Sequence, residues 1–270
     1  MADLKRLSLN QATTQNWSIQ EAVEGCVRHG ISSISLWRHK IHETGLQESI
    51  RSIRDANLHV SSVCRGGMFP AASAVERQEK IKDNFRAVDE AAELNADSLV
   101  LVVGASTAVP LPAAREMVAD GLAALVPYAR DRGVRLGLEP LHPMYAGDRS
   151  VLNTIDQALK MAQVYGPDEV GVILDSFHIW WDPCVFEQIK RCHKRIFGFH
   201  VSDWLVPMPD MLLGRGMMGD GVIDNRALRE AVDEAGYHGP IEVEIFNQSI
   251  WDQPGDDVLA QMLERFVARV

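Results

Sequence analysis

Short apolar runs alternate with longer amphipathic stretches along the whole chain. LKRLSLN, ISSISLW, LHVSSVC, DSLVLVVG, VRLGLEP, VGVILDSFH, RIFGFHVSD and IEVEIF are rich in β-branched and aliphatic residues and read as strands. Between them EAVEGCVRHG, ETGLQESIRSIRDAN, residues 73–95, PLPAAREMVADGLAALVPYARDRG, VLNTIDQALKMAQVYG, PCVFEQIKRCHK and DNRALREAVDEAG carry apolar residues at helical spacing, and DDVLAQMLERFVARV closes the chain. Ser18-Ile-Gln-Glu21 matches a capping box at the first helix, Gly30 and Gly133 are expected to end helices, and Pro127 is expected to kink one. Eight strands and eight helices in strict alternation allow an open doubly wound sheet or a closed barrel. The length, and polar residues at the carboxyl ends of many strands, favour a single (β/α)8 barrel of parallel strands, with residues 1–270 as one domain.

Four of these runs stop on a group that can bind a metal, namely Glu139, Asp175, His200 and Glu244. In a barrel these ends converge where the apolar core gives way to the mouth. Carboxylates there face a desolvation cost unless a cation or hydrogen-bond donors compensate it, and one shared divalent ion would serve all three. Three oxygen donors and one imidazole suit Mn²⁺ best, with Mg²⁺ and Co²⁺ also compatible. Glu242 is expected on the outer face of its strand, in a salt bridge. His142 and His178 each lie three residues beyond a proposed ligand, where they can orient hydroxyls or move protons at neutral pH. The connection from Ser202 to Val222 is far longer than a βα loop needs, and its Trp204, Leu205, Met208, Met211, Leu212 and Met217 are expected to cover a substrate or a neighbouring subunit. Trp37 at a strand end, Phe69 and Trp204 are the expected aromatic contacts to substrate, with Trp180 and Trp181 either beside them or in a subunit contact.

Charge narrows the partners. With 27 Lys and Arg against 37 Asp and Glu the formal net charge is −10, which weighs against nucleic acid, although Arg38, Arg65 and Arg215 can still form a local site for a small anion. Cys26, Cys64, Cys184 and Cys192 have neither zinc-site spacing nor disulfide-scaffold density, so a reducing cytoplasm is expected. No run is long and apolar enough to cross a bilayer, so no membrane partner is expected. Neither GxGxxG after the first strand nor GxxxxGK[ST] occurs, which removes the main support for dinucleotide or Walker chemistry.

LEPLHP, ILDSFHIWWDP, GFHVSD, GRGMMGDGVID and IEVEIF resemble the motifs of the xylose isomerase-like TIM-barrel family, the sugar phosphate isomerase and epimerase group, over nearly the whole chain. The resemblance implies Glu139, Asp175, His200 and Glu244 as metal ligands, Glu139 and Glu244 as the acid/base pair, His178 as the histidine after the metal aspartate, and Arg215 as the loop arginine that holds substrate oxygens. The implied activity is isomerisation or epimerisation of a small keto sugar or sugar derivative by proton transfer through an enediolate. The alternative is a metal-dependent lyase or deglycosidase of 3-keto-glycosides, with His142 as the added base. Pro140-Leu141-His142 departs from the polar residue that family ketose 3-epimerases carry after the first glutamate. The endonuclease IV-like branch resembles this chain at Glu139, Asp175, His178, His200 and Glu244, with Asp203 a further candidate, but its other metal histidines have only His39 to match them here.

Overall fold

The structure is a computed structural model and describes residues 3–106 and 109–270. Eight parallel strands close into a barrel: β1 (Leu7–Asn10), β2 (Ser33–Trp37), β3 (His59–Gly67), β4 (Leu99–Val102), β5 (Leu136–Leu138), β6 (Val170–Asp175), β7 (Ile196–Val201) and, after two short strands in a loop, β10 (Ile241–Val243). They pair in chain order, and β10 closes on β1. The helices are α1 (Ile19–His29), α2 (Arg38–Thr44), α3 (Leu46–Asp55), α4 (Ala74–Glu93), α5 (Leu111–Asp131), α6 (Ile155–Ala162), α7 (Ser176–Ile179), α8 (Val185–Arg191), α9 (Asn225–Glu234), α10 (Gln248–Trp251) and α11 (Gly255–Arg269). Their apolar faces form one continuous core with the strands. No helix among the described residues is long and apolar enough to cross a membrane.

Local chemistry sets the boundaries. The Ser18 side chain accepts from the Glu21 amide while the Glu21 carboxylate accepts from the Ser18 amide, and the helix they open ends on left-handed Gly30 (φ 67°). The helix expected after the second strand begins earlier, at Arg38, and is cut in two at Gly45, whose φ of 91° no helix can carry. Across Pro127 α5 runs without interruption. β3 continues past Cys64 to Gly67, where φ is 102° and an added Cβ would lie 2.1 Å from the Val102 carbonyl oxygen.

Strand register places the polar ends at one level. Asp175 pairs with His200 across β6 and β7, and His200 pairs with Glu242 across β7 and β10. Glu139 and Glu244 stand one residue past their strands, and their backbone amides donate to the Leu101 and Val201 carbonyls at 3.2 and 3.1 Å. The long loop folds as a small antiparallel pair, β8 (Asp203–Trp204) with β9 (Arg215–Gly216). The buried Asp203 carboxylate pins it by accepting from the amides of Trp204, Gly219 and Ile223. Met217 and Met218 are buried, while Val206 and Met211 stay exposed.

Gly67→Ala combines a left-handed backbone with a backbone collision, so it should lose about 1–3 kcal/mol or more in equilibrium urea unfolding. Gly147→Ala, where an added Cβ meets nothing within 4 Å, should leave the midpoint unchanged.

Candidate metal centre and active site

Glu139, Asp175, His200 and Glu244 come together at the carboxyl end of the barrel. Each is buried, and each offers one ligand atom such that all four atoms lie within 4.8 Å of one another. Nδ1 of His200 is 3.7 Å from Oε1 of Glu139 and 3.7 Å from Oε2 of Glu244. Oε1 of Glu139 and Nδ1 of His200 are buried without a hydrogen-bond partner among the described residues. Polar atoms left so in a protein interior are costly. A divalent cation would satisfy both, and three carboxylates with one imidazole are a fitting donor set.

Arg215 ties the cluster together from the loop. Its Nη1 donates to Oδ2 of Asp175 (2.8 Å), Oε2 of Glu244 (3.0 Å) and the Glu244 carbonyl (3.1 Å), and its guanidinium lies over the rings of Phe177 and Phe246. Its Nη2 is 3.2 Å from Nε2 of His178. A guanidinium can only donate, so Nε2 of His178 accepts and the proton sits on Nδ1, which is buried and unpartnered. Burial and then Arg215 hold the His178 pKa well below that of a free imidazole, consistent with a neutral ring.

Glu242 overturns the expectation of an outward-facing acid. Residues two apart on a strand share a face, so if Glu244 points inward Glu242 does too. It is 2% exposed, and its Oε2 lies 3.2 Å from Nε2 of His200, the nitrogen turned away from the other ligands. Ser61 and Ser62 hydroxyls donate to Oε1 at 2.8 and 2.7 Å, and the Asn10 amide donates to Oε2 at 2.9 Å and to Glu244 at 3.2 Å. The contact with His200 is an ion-pair distance without aligned hydrogen-bond geometry, so Glu242 backs the imidazole as a charge placed behind it, where a carboxylate can support a histidine ligand.

Electrostatics separates the two glutamates of the mouth. Burial, reinforced by Glu244, pushes Glu139 up to about 8. Burial also opposes ionisation of Glu244, but Arg215 and His200 overcome it and draw that group down to about 2. For His200 burial is outweighed by Glu242 and Glu244, which raise it to about 10.

The cluster opens into a cavity of about 160 Å³ whose wall includes Trp37, Glu139, Tyr145, His178, Arg215 and Glu244. The Trp37 indole donates to Asn10 at 2.8 Å. Three expected contacts lie elsewhere. Phe69 is 2% exposed in the helix layer, with its ring filling the space left by Gly121. Trp204 packs among Phe177, Trp180 and His142 and is not part of the cavity wall. His142 also lies outside that wall. Its Nδ1 accepts from the Met144 amide, its ring packs against Trp181 and Trp204, and burial lowers its pKa to about 4, so the ring is neutral at pH 7. Asp203 is engaged by backbone amides and stands outside the ligand cluster.

Asn10, Ser61, Ser62 and Tyr145 were not expected at the site. Asn10 ends an apolar strand as the ligands do, so that signal was available. Alternation would put the neighbours Ser61 and Ser62 on opposite faces, and both reach Glu242 because the pairing of β2 with β3 shifts register there.

A closed β/α barrel bearing three buried carboxylates and an imidazole at its carboxyl face carries a donor set that fits a divalent cation. The chain belongs to the xylose isomerase-like TIM barrel family, whose model matches residues 23–268. It is 25% identical to the inosose isomerase of Bacillus velezensis over 275 residues, 94% of this chain and 93% of that protein. It is 31% identical to the 3-dehydroshikimate dehydratase of Pseudomonas putida over 189 residues, 66% of this chain but 28% of that protein. A crystal structure of a Sinorhizobium meliloti 1021 protein, 48% identical, superposes with a TM-score of 0.96 over 99% of both chains.

Two outcomes follow from this geometry. Glu242→Gln should weaken Mn²⁺ binding by about 10–100-fold in calorimetric titration. Below pH 8 the metal-free site holds protons on Glu139 and His200 that a cation must displace, so Mn²⁺ uptake should release protons at pH 7. As pH rises through about 8 and then about 10 that release should fall away, read by titrating in buffers of different ionisation enthalpy.

Proposed function

We propose that the protein is a divalent-metal-dependent isomerase or epimerase of a small carbohydrate, a keto sugar or sugar derivative, working by proton transfer through an enediolate. The observation that carries this reading is the convergence of Glu139, Asp175, His200 and Glu244, with Glu139 and Glu244 lining a cavity of about 160 Å³. The relation to an inosose isomerase over nearly the full length of both chains supports it. Those four side chains would hold the ion, with Mn²⁺ best suited to the donor set and Mg²⁺ or Co²⁺ also accommodated. When bound, the ion supplies Lewis acidity, polarising a substrate carbonyl and acidifying the adjacent C–H.

The chain's own groups do the rest. Glu139 and Glu244 form the acid/base pair: Glu139, raised to about 8, has a proton to give at neutral pH, and Glu244, whose oxygens accept from Asn10 and Arg215, is its ionised partner. Arg215 fixes Glu244, Asp175 and His178 relative to one another. The Nδ1 proton of His178 is free to orient a substrate hydroxyl. The indole of Trp37 gives the substrate ring an apolar wall. We place the protein in the cytoplasm, which its four free cysteines favour, and nucleic acid is disfavoured as a partner by the net charge of −10.

Elimination is the second reading, supported by the 31% identity to a dehydratase. It begins with the same proton abstraction and differs only in whether a β-substituent then leaves.

Keto sugars incubated in deuterated water with the Mn²⁺-loaded protein should gain deuterium at the α-carbon. Glu139→Gln or Glu244→Gln should each slow turnover by about 100-fold or more. Turnover without exchange would remove the enediolate route, and release of aglycone from an aryl 3-keto-glycoside in a parallel assay would favour elimination.

A further inference from the structure

Four arginines stand near the mouth, and two of them are already engaged. Arg38 is bound by Asp83 and Glu90 at 2.6–3.3 Å, and Arg215 is bound by Asp175 and Glu244. Arg65 and Arg149 also line the cavity, from the end of β3 and from the segment after β5. The Arg65 side chain donates to the Met68 sulfur at 2.9 Å, a weak acceptor, and forms no ion pair among the described residues. Arg149 lies with its guanidinium 5.5 Å from the centre of the Tyr145 ring, and its Nε is buried with no hydrogen-bond partner among the described residues. Oδ2 of Asp148 is 3.6 Å from that nitrogen, on a side chain that is 63% exposed, so solvent screens the pair.

In a chain with ten more acidic than basic residues, carboxylate partners are abundant, yet none closes on these two cations at hydrogen-bonding distance. Val102 and Leu141 line the same cavity, so part of its wall is apolar. Arg65 also stands in the wall between this cavity and an outer groove of about 490 Å³, so a substituent projecting from the small cavity into that groove passes it.

We propose that the substrate carries an anionic oxygen group, a carboxylate or a phosphate, bound by Arg65 and Arg149. The substrate class is then a sugar acid or sugar phosphate in place of a neutral sugar. This rests on the reading of the cavity as the substrate site, but not on which reaction occurs there.

Binding without turnover tests it. D-gluconate, D-glucitol 6-phosphate and neutral D-glucitol, matched in their hydroxyl chains, are titrated calorimetrically into Mn²⁺-loaded and metal-depleted protein. At least one anion should bind about tenfold or more tightly than D-glucitol in both forms, as expected of charge-assisted hydrogen bonds, and which one does identifies the group. The preference should vanish in the Arg65→Gln/Arg149→Gln double variant and survive in part in the Arg65→Lys/Arg149→Lys variant, whose Mn²⁺ content reports that the barrel is intact. Equal binding of all three compounds, a preference present only with metal, or one that persists in the glutamine variant would overturn the proposal. An anion preference in a protein that transforms no keto sugar would leave this site standing and remove the reaction proposed above. Turnover of neutral sugars with no anion preference would do the reverse.

Discussion

Ionisable groups at the ends of apolar strands must be compensated, and this constraint organises the mouth of the barrel. Glu139, Asp175, His200, Glu242 and Glu244 are all almost fully buried, and Arg215, which donates to Asp175 and Glu244, the His200 imidazole and a few neutral donors are what offset the four acids. Such a concentration of acid in low dielectric costs several kcal/mol per uncompensated charge. Oε1 of Glu139 and Nδ1 of His200 are left without a hydrogen-bond partner among the described residues, and burial shifts Glu139 upward. A divalent ion there would complete the compensation and account for the convergence of the buried acids.

Compensation comes from two sides. Beneath the cluster, Asn10, Ser61 and Ser62 donate to Glu242, which faces the rear nitrogen of His200. Above it, the Asp203-pinned loop carries Arg215 inward to Asp175, Glu244 and His178. The loop also meets the wall opposite, where the Tyr145 hydroxyl donates to the Met211 carbonyl and Leu212 lines the cavity. Loop and barrel thus hold one set of side chains between them, and positional accuracy of this kind is what proton transfer next to a polarised carbonyl demands.

Much of this was legible in the chain. The barrel and the four strand-end donors follow from apolar runs that stop on a polar group, because a strand end fixes both depth and direction for the next side chain. Glu242 was legible as well and was misread, since a period of two puts it on the same face as Glu244. Phe69 and His142 were not legible. Whether a residue just past a strand turns toward the mouth or back to the helices depends on loop geometry: Phe69 fills the gap at Gly121, and His142 caps the turn at Pro143–Tyr145. Nor does composition reveal that Arg38 is engaged by Asp83 and Glu90 while Arg65 is not, because partners distant in sequence decide that.

We propose that the four strand-end groups hold one divalent ion, and anomalous diffraction from crystals of the Mn²⁺-loaded protein would locate it. One strong peak should lie at the barrel mouth, within bonding distance of Glu139, Asp175, Nδ1 of His200 and Glu244, with Nε2 of His200 still facing Glu242. A mouth without a peak in crystals that take up Mn²⁺ elsewhere, or an ion that leaves any of those four groups unbound, would contradict it.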